Sequence, residues 1–406
     1  MKSKQTGKIA IVGNGPAGLV MAIALARRGI PSTVFEQDLH PEEAPRFNPE
    51  RSYTIDITGH GLNALRHIDA TEIFDEQLIP FKGIVTPQVV EEWKGPGWTG
   101  SRGDILCALM LLVKARYKKY IKFNFSTRVV AVDAKSGTVK TEPANGKGKG
   151  KSSTFDLIIA GDGGGSVVRR SLQEQFSDFK ATRTDVANYA TMLELDLMND
   201  RLDKRYLQVL NLFPTCVAGA INGDTGPGSA RWFSMVGVNH KMSFASADEA
   251  MKFFRKKAPR VLEYASEASI ASFAERECRH IGRRVTCSRL NAGRVILLGD
   301  AAAPFSPIGQ GINAAMESAI YLDRCIEDTS PDDLVRAGER FNRAWKPEAD
   351  AISWISEQVI FGRVSHILRM VVTAKLGINV VSDAKRSDIS YSEAARRGKR
   401  IPFLWS

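Results

Sequence analysis

The chain has 406 residues, of which 43% are hydrophobic and 25% are charged, a composition typical of a folded globular protein and not of a disordered one. Its five cysteines are odd in number and none has C-x-x-C spacing, which disfavours a disulfide framework or a metal site and favours a reducing, intracellular setting. The net charge of +11 favours an anionic partner, although a basic solvated surface explains it equally well.

The first 35 residues have the pattern of a β–α–β unit. Residues 8–12 form an apolar run that predicts a buried strand, and residues 16–28 predict a helix that Gly29 ends. Residues 32–35 predict the next strand. This order implies a parallel sheet with a right-handed crossover.

The turn between the first strand and the helix reads G-x-G-x-x-G over residues 13–18. Gly13 makes the tight turn, Gly15 lets the backbone approach a pyrophosphate, and Gly18 lets the helix pack on the strand. The helix N-terminus then faces a diphosphate with free N–H groups and a positive dipole end. The predicted nucleotide contacts are Gly13, Gly15, Pro16, Ala17 and Gly18.

Glu36 lies 18 residues after Gly18, at the end of the second strand. A carboxylate at this place accepts hydrogen bonds from ribose hydroxyls and repels a 2′-phosphate. The tightly held nucleotide is therefore predicted to be FAD or NAD and not NADP.

A further strand–turn–helix junction follows the apolar run at residues 155–160. Asp162 closes the strand, Ser166 can cap the next helix, and Arg169 or Arg170 can place positive charge beside a phosphate. The alternative is an ordinary junction without a ligand. The preceding Gly- and Lys-rich stretch, residues 145–153, predicts an exposed hairpin loop, and we expect no nucleic-acid binding there.

From about residue 188 to residue 238, β-like runs separated by turn residues predict an antiparallel sheet, and a helix is predicted at residues 247–254. The α/β pattern resumes with a buried strand at residues 294–298 that ends in Gly299-Asp300. Asp300 can accept a hydrogen bond from a ribityl hydroxyl. The Gly-Gln-Gly turn that follows puts bare N–H groups at a helix start, a seat for the N1–C2 edge of a flavin. The predicted contacts here are Gly299, Asp300, Gly309, Gln310, Gly311, Ile312 and Asn313.

Together these three motifs, in this order, resemble the class A flavoprotein monooxygenases with the p-hydroxybenzoate hydroxylase fold, over roughly residues 8 to 350. Arg51-Ser52, followed by the Gly-Leu-Asn-Ala-Leu run from Gly61, resembles the kynurenine 3-monooxygenase branch. Ser101-Arg102 resembles the helix start that brings an arginine to the flavin in that branch. The resemblance implies that Arg51 and Arg102 lie beside FAD.

The sequence also departs from the family. Ala303 stands where His is frequent, and Ser318 replaces the usual Asp. The kynurenine branch holds its amino-acid substrate with an Arg and a Tyr, but residues 69–100 contain neither. Kynurenine is therefore disfavoured as the substrate.

The resemblance implies an FAD-dependent monooxygenase that hydroxylates a small substrate, with an aromatic ring favoured. NADPH or NADH would dock transiently as reductant, and O2 would react through a flavin C4a-hydroperoxide. Pro307 and Gly309 would shape the oxygen pocket. Substrate contacts are expected from the β-rich insert, where core packing is the alternative role for each residue. The candidates are Tyr189, Met192, Asn211, Phe213, Trp232, Phe233 and Met235.

Three alternatives use the same cofactor motifs. One is an FAD-dependent reductase or dehydrogenase, for example a prenyl-chain reductase. A flavin halogenase is disfavoured because Trp93 and Trp98 are five residues apart and no Ile-Pro follows. The third is a non-catalytic FAD-binding or membrane-associated interaction protein.

The predicted fold class is α/β: a Rossmann-like FAD-binding domain, an inserted antiparallel β-sheet and a helical C-terminal region. We expect the FAD-binding domain at residues 1–180 and 281–350, the β-rich substrate domain at 181–280 and the helical region at 351–406.

Residues 359–381 are basic and amphipathic and would contact a membrane or pack on the FAD domain. With a short polar start and no secretory signal, the expectation is a cytoplasmic monomer or homodimer, with possible peripheral membrane contact.

Overall fold

The computed structural model describes residues 7–44, 53–196, 201–223, 226–329 and 333–401. The strands are β1 (Ile9–Val12), β2 (Ser32–Phe35), β3 (Ile55–Ile57), β4 (Ile79–Pro80), β5 (Gly83–Val85), β6 (Val90–Glu92), β7 (Trp98–Gly100), β8 (Ile121–Asn124), β9 (Thr127–Asp133), β10 (Thr138–Pro143), β11 (Lys151–Thr154), β12 (Leu157–Ala160), β13 (Ala181–Asp185), β14 (Tyr189–Leu195), β15 (Tyr206–Asn211), β16 (Thr215–Gly223), β17 (Gly226–Val238), β18 (Arg279–His280), β19 (Arg283–Cys287), β20 (Asn291–Ala292) and β21 (Val295–Leu297). The α-helices are α1 (Pro16–Arg27), α2 (Gly59–His67), α3 (Thr71–Gln77), α4 (Arg102–Leu112), α5 (Val167–Gln175), α6 (Ala247–Lys257), α7 (Glu267–Glu275), α8 (Gly299–Ala302), α9 (Gly311–Glu327), α10 (Leu334–Glu357), α11 (Val364–Lys375), α12 (Val380–Asp383) and α13 (Tyr391–Lys399). Val113–Tyr117 is a π-helical turn and Pro259–Glu263 a 3-10 turn.

The central sheet has the strand order β20-β21-β12-β1-β2-β8. β1 pairs in parallel with β12 on one side and β2 on the other. Every residue of β1 and β12 is buried, because helices cover both faces of a parallel sheet. Helix α1 packs against α9 over this sheet. The predicted Rossmann-like unit is confirmed.

The second large sheet has the order β18-β14-β17-β16-β15-β5-β6. Its core strands are antiparallel, as the β-rich pattern predicts, while β5 pairs with β15 in parallel. β5 and β6 come from residues 83–92, inside the segment expected to belong to the FAD-binding domain. This sheet, which we call the substrate sheet after its predicted role, therefore takes strands from both sides of the predicted boundary at residue 181. The boundary stays a prediction.

The two faces of this sheet have different surroundings. One face, with Leu193, Ala218 and Val236, forms a core with Phe254 of α6 and Phe273 of α7. The opposite face carries a separate cluster of Met192, Ile221 and Phe233, against which Tyr53 and Met235 pack. We call these five residues the substrate wall, after the substrate contact that the sequence predicts for Met192, Phe233 and Met235.

The C-terminal helices confirm a helical end of the chain, although α10 continues through the predicted boundary at residue 351. Helix α13 packs against α10 and α12, and its first residue, Tyr391, is fully buried. Among the residues described, no helix combines the length and apolarity that crossing a membrane requires.

Asn188, buried before β14, joins three parts of the molecule. Its Nδ2 donates to Ser306 Oγ at 2.7 Å and to the Val359 carbonyl at 2.8 Å. Its Oδ1 accepts from the Phe361 amide at 2.7 Å. The loop before α9 and the C-terminal region are thus tied to the start of the substrate sheet.

Candidate functional site

The glycine turn after β1 has the close packing that its sequence predicts. Gly13 has a φ of +96°, and a Cβ on it would lie 2.5 Å from the Gly161 carbonyl oxygen. A Cβ on Gly18 would lie 2.1 Å from the Gly13 carbonyl oxygen. Gly15 is the N-cap of α1, Pro16 is in its first turn, and no side chain caps the helix. The first amides of α1 therefore remain available to an anion.

Glu36 follows β2 beside this turn. Its Oε2 accepts from the Asn14 amide at 2.6 Å and its Oε1 from the Asp38 amide at 2.9 Å. These bonds fix the carboxylate next to the turn while leaving the residue partly exposed. The position suits the predicted ribose contact, which stays a prediction.

Arg102 begins α4 directly after Ser101, whose side chain forms a capping box with Asp104. A Cβ on Gly15 would lie 3.3 Å from Arg102 Nη2, so the guanidinium lies over the glycine turn. It is exposed and suited to neutralise a pyrophosphate. The second predicted arginine, Arg51, lies outside the described residues.

The Asp162 carboxylate bonds to the start of α5. It accepts from Ser166 Oγ at 2.7 Å and from the Val167 and Val168 amides at 2.8 and 3.2 Å. Burial raises the pKa of this carboxyl, and these bonds oppose the rise. Asp162 therefore has a helix-capping role in the structure, and its predicted contact with the cofactor gains no support.

The prediction that Arg169 places charge beside a phosphate is not supported. Its guanidinium is buried and donates to the carbonyls of Gly164 at 2.6 Å and Ala301 at 2.7 Å. Burial lowers its pKa. Arg169 instead joins the Asp162 turn to the Asp300 turn, and the neighbouring Arg170 is exposed.

Asp300 lies in the short helix α8 after β21, at the same edge of the sheet as the glycine turn. Burial raises the pKa of its carboxyl, while the charges of Arg102 and Arg169 lower it. Gly299 has a φ of +49°, and its amide donates to Ser318 Oγ at 3.2 Å. The serine that replaces the usual Asp thus supports this turn.

The turn that begins α9 is organised by Asn313, which is fully buried. Asn313 Nδ2 donates to the carbonyls of Asp56 at 2.9 Å and Gly309 at 3.2 Å, and its Oδ1 accepts from the Thr58 amide at 3.1 Å. Buried Gln310 accepts from the Tyr391 hydroxyl at 3.3 Å, and Ile312 is partly buried. Asn313 therefore holds β3, the start of α2 and the Gly309 turn together.

Open space lies where a flavin would need it. A Cβ on Gly311, the first residue of α9, would meet no atom within 4 Å, and the same is true of Gly163 and Gly165. No side chain caps α9, so its first amides can bind the edge of a ring. At Gly13 and Gly18, by contrast, backbone atoms occupy the space that a Cβ would need. The residues present therefore fit FAD laid from the glycine turn, past Asp300, to the Gly309 turn.

Comparison with known proteins identifies the family. The FAD binding domain family matches residues 106–328, and the pyridine nucleotide-disulphide oxidoreductase family matches residues 7–202. The chain belongs to the FAD binding domain family.

Curated relatives of this FAD binding domain protein include kynurenine 3-monooxygenase from Salinispora arenicola, 25% identical over 87% of this chain and 79% of that protein. The Candida albicans kynurenine 3-monooxygenase is 27% identical over 85% of this chain and 77% of that protein. These relatives confirm the resemblance to the class A flavoprotein monooxygenases. They also confirm the prediction that the protein is an FAD-dependent monooxygenase.

Solved structures share its fold. The tetrameric form of 2-methyl-3-hydroxypyridine-5-carboxylic acid oxygenase has a TM-score of 0.65 at 19% identity, covering 87% of this chain and 90% of its own. A Klebsiella pneumoniae HpxO variant complexed with FAD has a TM-score of 0.64 at 18% identity, covering 97% of this chain and 96% of its own.

The chain segment from Tyr53 to Asp56 links the substrate wall to the Gly309 turn, because Tyr53 packs against the wall and Asp56 lies in β3, which Asn313 ties to that turn. Burial and the charges of Asp300 and Asp56 raise the pKa of Tyr53 to about 12. Tyr53 thus connects the wall to the Asp300 turn and to β3. Sequence reasoning missed this residue, although it directly follows the Arg51-Ser52 pair that carries the family resemblance.

The structure separates the predicted substrate residues. Tyr189 and Trp232 lie on the helix-covered face of the sheet. Asn211 Nδ2 donates to the carbonyls of Pro214 and Lys257 at 2.8 and 3.1 Å, and Phe213 is exposed. These four placements do not support substrate contact. Met235 belongs to the wall, and its substrate role stays a prediction.

Two charged residues near the Gly309 turn were also missed. Asp56, in β3, and Lys385, after α12, form an ion pair with Asp56 Oδ2 3.5 Å from Lys385 Nζ. Their distance in sequence left no local signal for the pairing. In the part of the chain that the structure describes, no cluster of His, Cys, Asp and Glu could hold a metal ion.

Proposed function

We propose that this protein hydroxylates a small, uncharged aromatic substrate with NADPH or NADH as reductant and O2 as oxidant. The observation that carries this proposal is the substrate wall, an apolar cluster whose Tyr53 lies just before the β3 segment that Asn313 holds against the Gly309 turn. FAD, when bound and reduced, supplies the activation of O2.

The chain's own groups position the reactants. The open amides at Gly311 would bind the ring edge and favour negative charge there. Pro307 and Gly309, on the same turn, would border the reacting face. The buried Met192 and Phe233 exclude water from the other side. Tyr53, with a pKa raised to about 12, stays protonated at neutral pH and can donate a hydrogen bond to a substrate oxygen.

The charges around the wall favour a substrate without a carboxylate. Arg231, on the same strand as Phe233, donates to Glu194 at 2.6 Å, and its guanidinium lies 5.5 Å from the Phe233 ring centre. This cation is already paired. Residues 69–100 contain no Arg and no Tyr and so lack the pair by which the kynurenine branch holds its amino-acid carboxylate. We therefore expect phenols, indoles or anilines to be preferred over kynurenine.

The test is an NAD(P)H-consumption screen against phenols, indoles, anilines, polyenes and kynurenine, with mass detection of the product. We expect an uncharged aromatic compound to stimulate oxidation and to gain one oxygen atom. Nicotinamide oxidation without an oxygenated product would favour the reductase or dehydrogenase alternative. A halogenated product in halide buffer would favour a halogenase.

Substitution in the wall should change substrate binding. For the best compound found, Met235→Ala is expected to raise KM about tenfold. Full burial of a Met contributes about 1.5–3 kcal/mol, and the substrate would complete the burial of the partly buried Met235. Met251→Ala is the matched control, since Met251 packs on the helix-covered core. Steady-state kinetics compare the two variants. Equal changes in KM for the two variants would mean that the substrate wall does not contact the substrate.

We also propose that α11 binds an anionic membrane surface. Val364, Leu368 and Leu376 are 65%, 61% and 63% exposed, and their spacing places them along one face. Exposed Arg363 and Lys375 flank this stripe, and the net charge is +11. Basic and apolar groups together suit an interfacial helix.

Co-sedimentation with vesicles tests the membrane contact. We expect binding to phosphatidylcholine vesicles that contain phosphatidylserine, little binding to phosphatidylcholine alone, and loss of binding in Leu368→Asp. Ser246→Asp, at the start of α6, is the control for added negative charge. If Leu368→Asp instead abolishes a dimer seen by sedimentation without lipid, the stripe is an interface between two copies.

A further inference from the structure

The C-terminal segment reaches the Gly309 turn. Gly59, at the start of α2, has a φ of +38°, and a Cβ on it would lie 1.9 Å from the Lys385 carbonyl oxygen. The backbone around Lys385 is therefore packed directly on α2. The Lys385 side chain extends from this contact and is only 20% exposed.

Lys385 faces a buried carboxylate. The Asp56 side chain is 6% exposed, and its Oδ2 lies 3.5 Å from Lys385 Nζ. That oxygen accepts no hydrogen bond from the described residues, so the ammonium is its charge partner. Burial of a carboxylate without such a partner would be costly.

Both groups border the place where the flavin ring would lie. A Cβ on Gly309 would be 3.4 Å from Asp56 Oδ1 and 3.4 Å from Lys385 Nζ. The open start of α9 at Gly311 follows two residues later. Asn313 fixes Asp56 and Gly309 in this relation through its two donated hydrogen bonds.

We propose that Lys385 and Asp56 are electrostatic positioning residues that set the reduction potential of the bound FAD in opposite directions. Two-electron reduction adds negative charge to a flavin. The Lys385 ammonium favours that charge, and the Asp56 carboxylate opposes it, in a partly dry site where charges interact more strongly than in water. The inference rests on FAD occupying this seat and not on the substrate or on O2.

The test is an anaerobic redox titration of the purified FAD-loaded protein against a reference dye, without substrate. At a fixed potential, Lys385→Met is expected to lower the ratio of reduced to oxidised flavin about tenfold, equal to about 30 mV for a two-electron couple. Asp56→Asn is expected to raise this ratio by a similar factor. Lys385→Arg should keep the wild-type ratio. Lys252→Met, on exposed α6, controls for net charge.

The double variant Asp56→Asn with Lys385→Met should return the ratio close to wild type, because both charges are gone. The flavin-to-protein ratio of each variant is measured first. If Lys385→Met does not retain FAD, Asp56→Asn and the double variant still show whether removing the carboxylate raises the ratio of reduced to oxidised flavin and whether removing both charges restores it. Shifts of the same sign in Lys385→Met and Asp56→Asn, or shifts no larger than that of Lys252→Met, would overturn the proposal. If the variants shift the ratio of reduced to oxidised flavin as expected but no compound yields a hydroxylated product, only the proposed function is contradicted.

Discussion

Replacing Asn313 with alanine is expected to abolish stable FAD binding and to lower the free energy of unfolding by about 3 kcal/mol or more. The side chain is fully buried and satisfies the Thr58 amide and the carbonyls of Asp56 and Gly309. Alanine leaves the Thr58 amide and the Asp56 carbonyl without this partner, whereas the Gly309 carbonyl keeps the hydrogen bond from Gln310 Nε2 at 2.9 Å. Each buried group left unsatisfied costs about 1–3 kcal/mol. The flavin-to-protein ratio and a denaturant titration measure the two effects.

The matched control is Asn63→Ala. Asn63 makes a single long hydrogen bond of 3.4 Å to the Ser387 carbonyl and is partly exposed. It should retain FAD and lose less than about 1 kcal/mol. An Asn313→Ala protein that purifies with a full complement of FAD would show that the Gly309 turn keeps its shape without this side chain.

Gly18→Ala should give the second large effect, which is loss of FAD at the diphosphate end of the site. The added methyl would lie 2.1 Å from the Gly13 carbonyl oxygen, a contact that only movement of the backbone can relieve. That movement displaces α1 from the turn whose amides would bind the diphosphate. We expect stability to fall by about 1–3 kcal/mol and FAD affinity to fall much further.

Gly228→Ala, at an exposed position of β17, provides the comparison, because a Cβ there meets no atom within 4 Å. FAD affinity, measured by quenching of flavin fluorescence on titration with apoprotein, should remain within a few-fold of wild type for Gly228→Ala. Equal FAD affinity in the two variants would mean that the Gly18 packing does not determine nucleotide binding.

The sequence predicted best those features that depend on local backbone geometry. Gly13 and Gly18 are required by contacts within one turn, and the motif spacing alone specifies such contacts. The sequence did not indicate the observed partners of Arg169, because the carbonyls of Gly164 and Ala301 become neighbours only when two distant turns meet. A positive charge in a motif does not reveal whether it is exposed or enclosed by carbonyls.

The substrate sheet shows a different limit. Alternation predicts that neighbouring residues of a strand face opposite ways, but it does not say which face meets the site. Both faces here are apolar, one covered by α6 and α7 and the other facing Tyr53. Trp232 and Phe233 are consecutive, and only the fold assigns Phe233 to the substrate wall. Likewise, nothing near Lys385 in sequence indicates Asp56.

The contacts of the C-terminal segment have a consequence for biosynthesis. A nascent chain that has emerged as far as the end of α9 already carries the glycine turn, Asp300 and Asn313. It still lacks Lys385, which pairs with Asp56, and Tyr391, which donates to Gln310. The residues predicted to surround the flavin ring are therefore completed last, and a chain that stops before residue 385 would carry every residue of the predicted diphosphate site but neither of these two contacts.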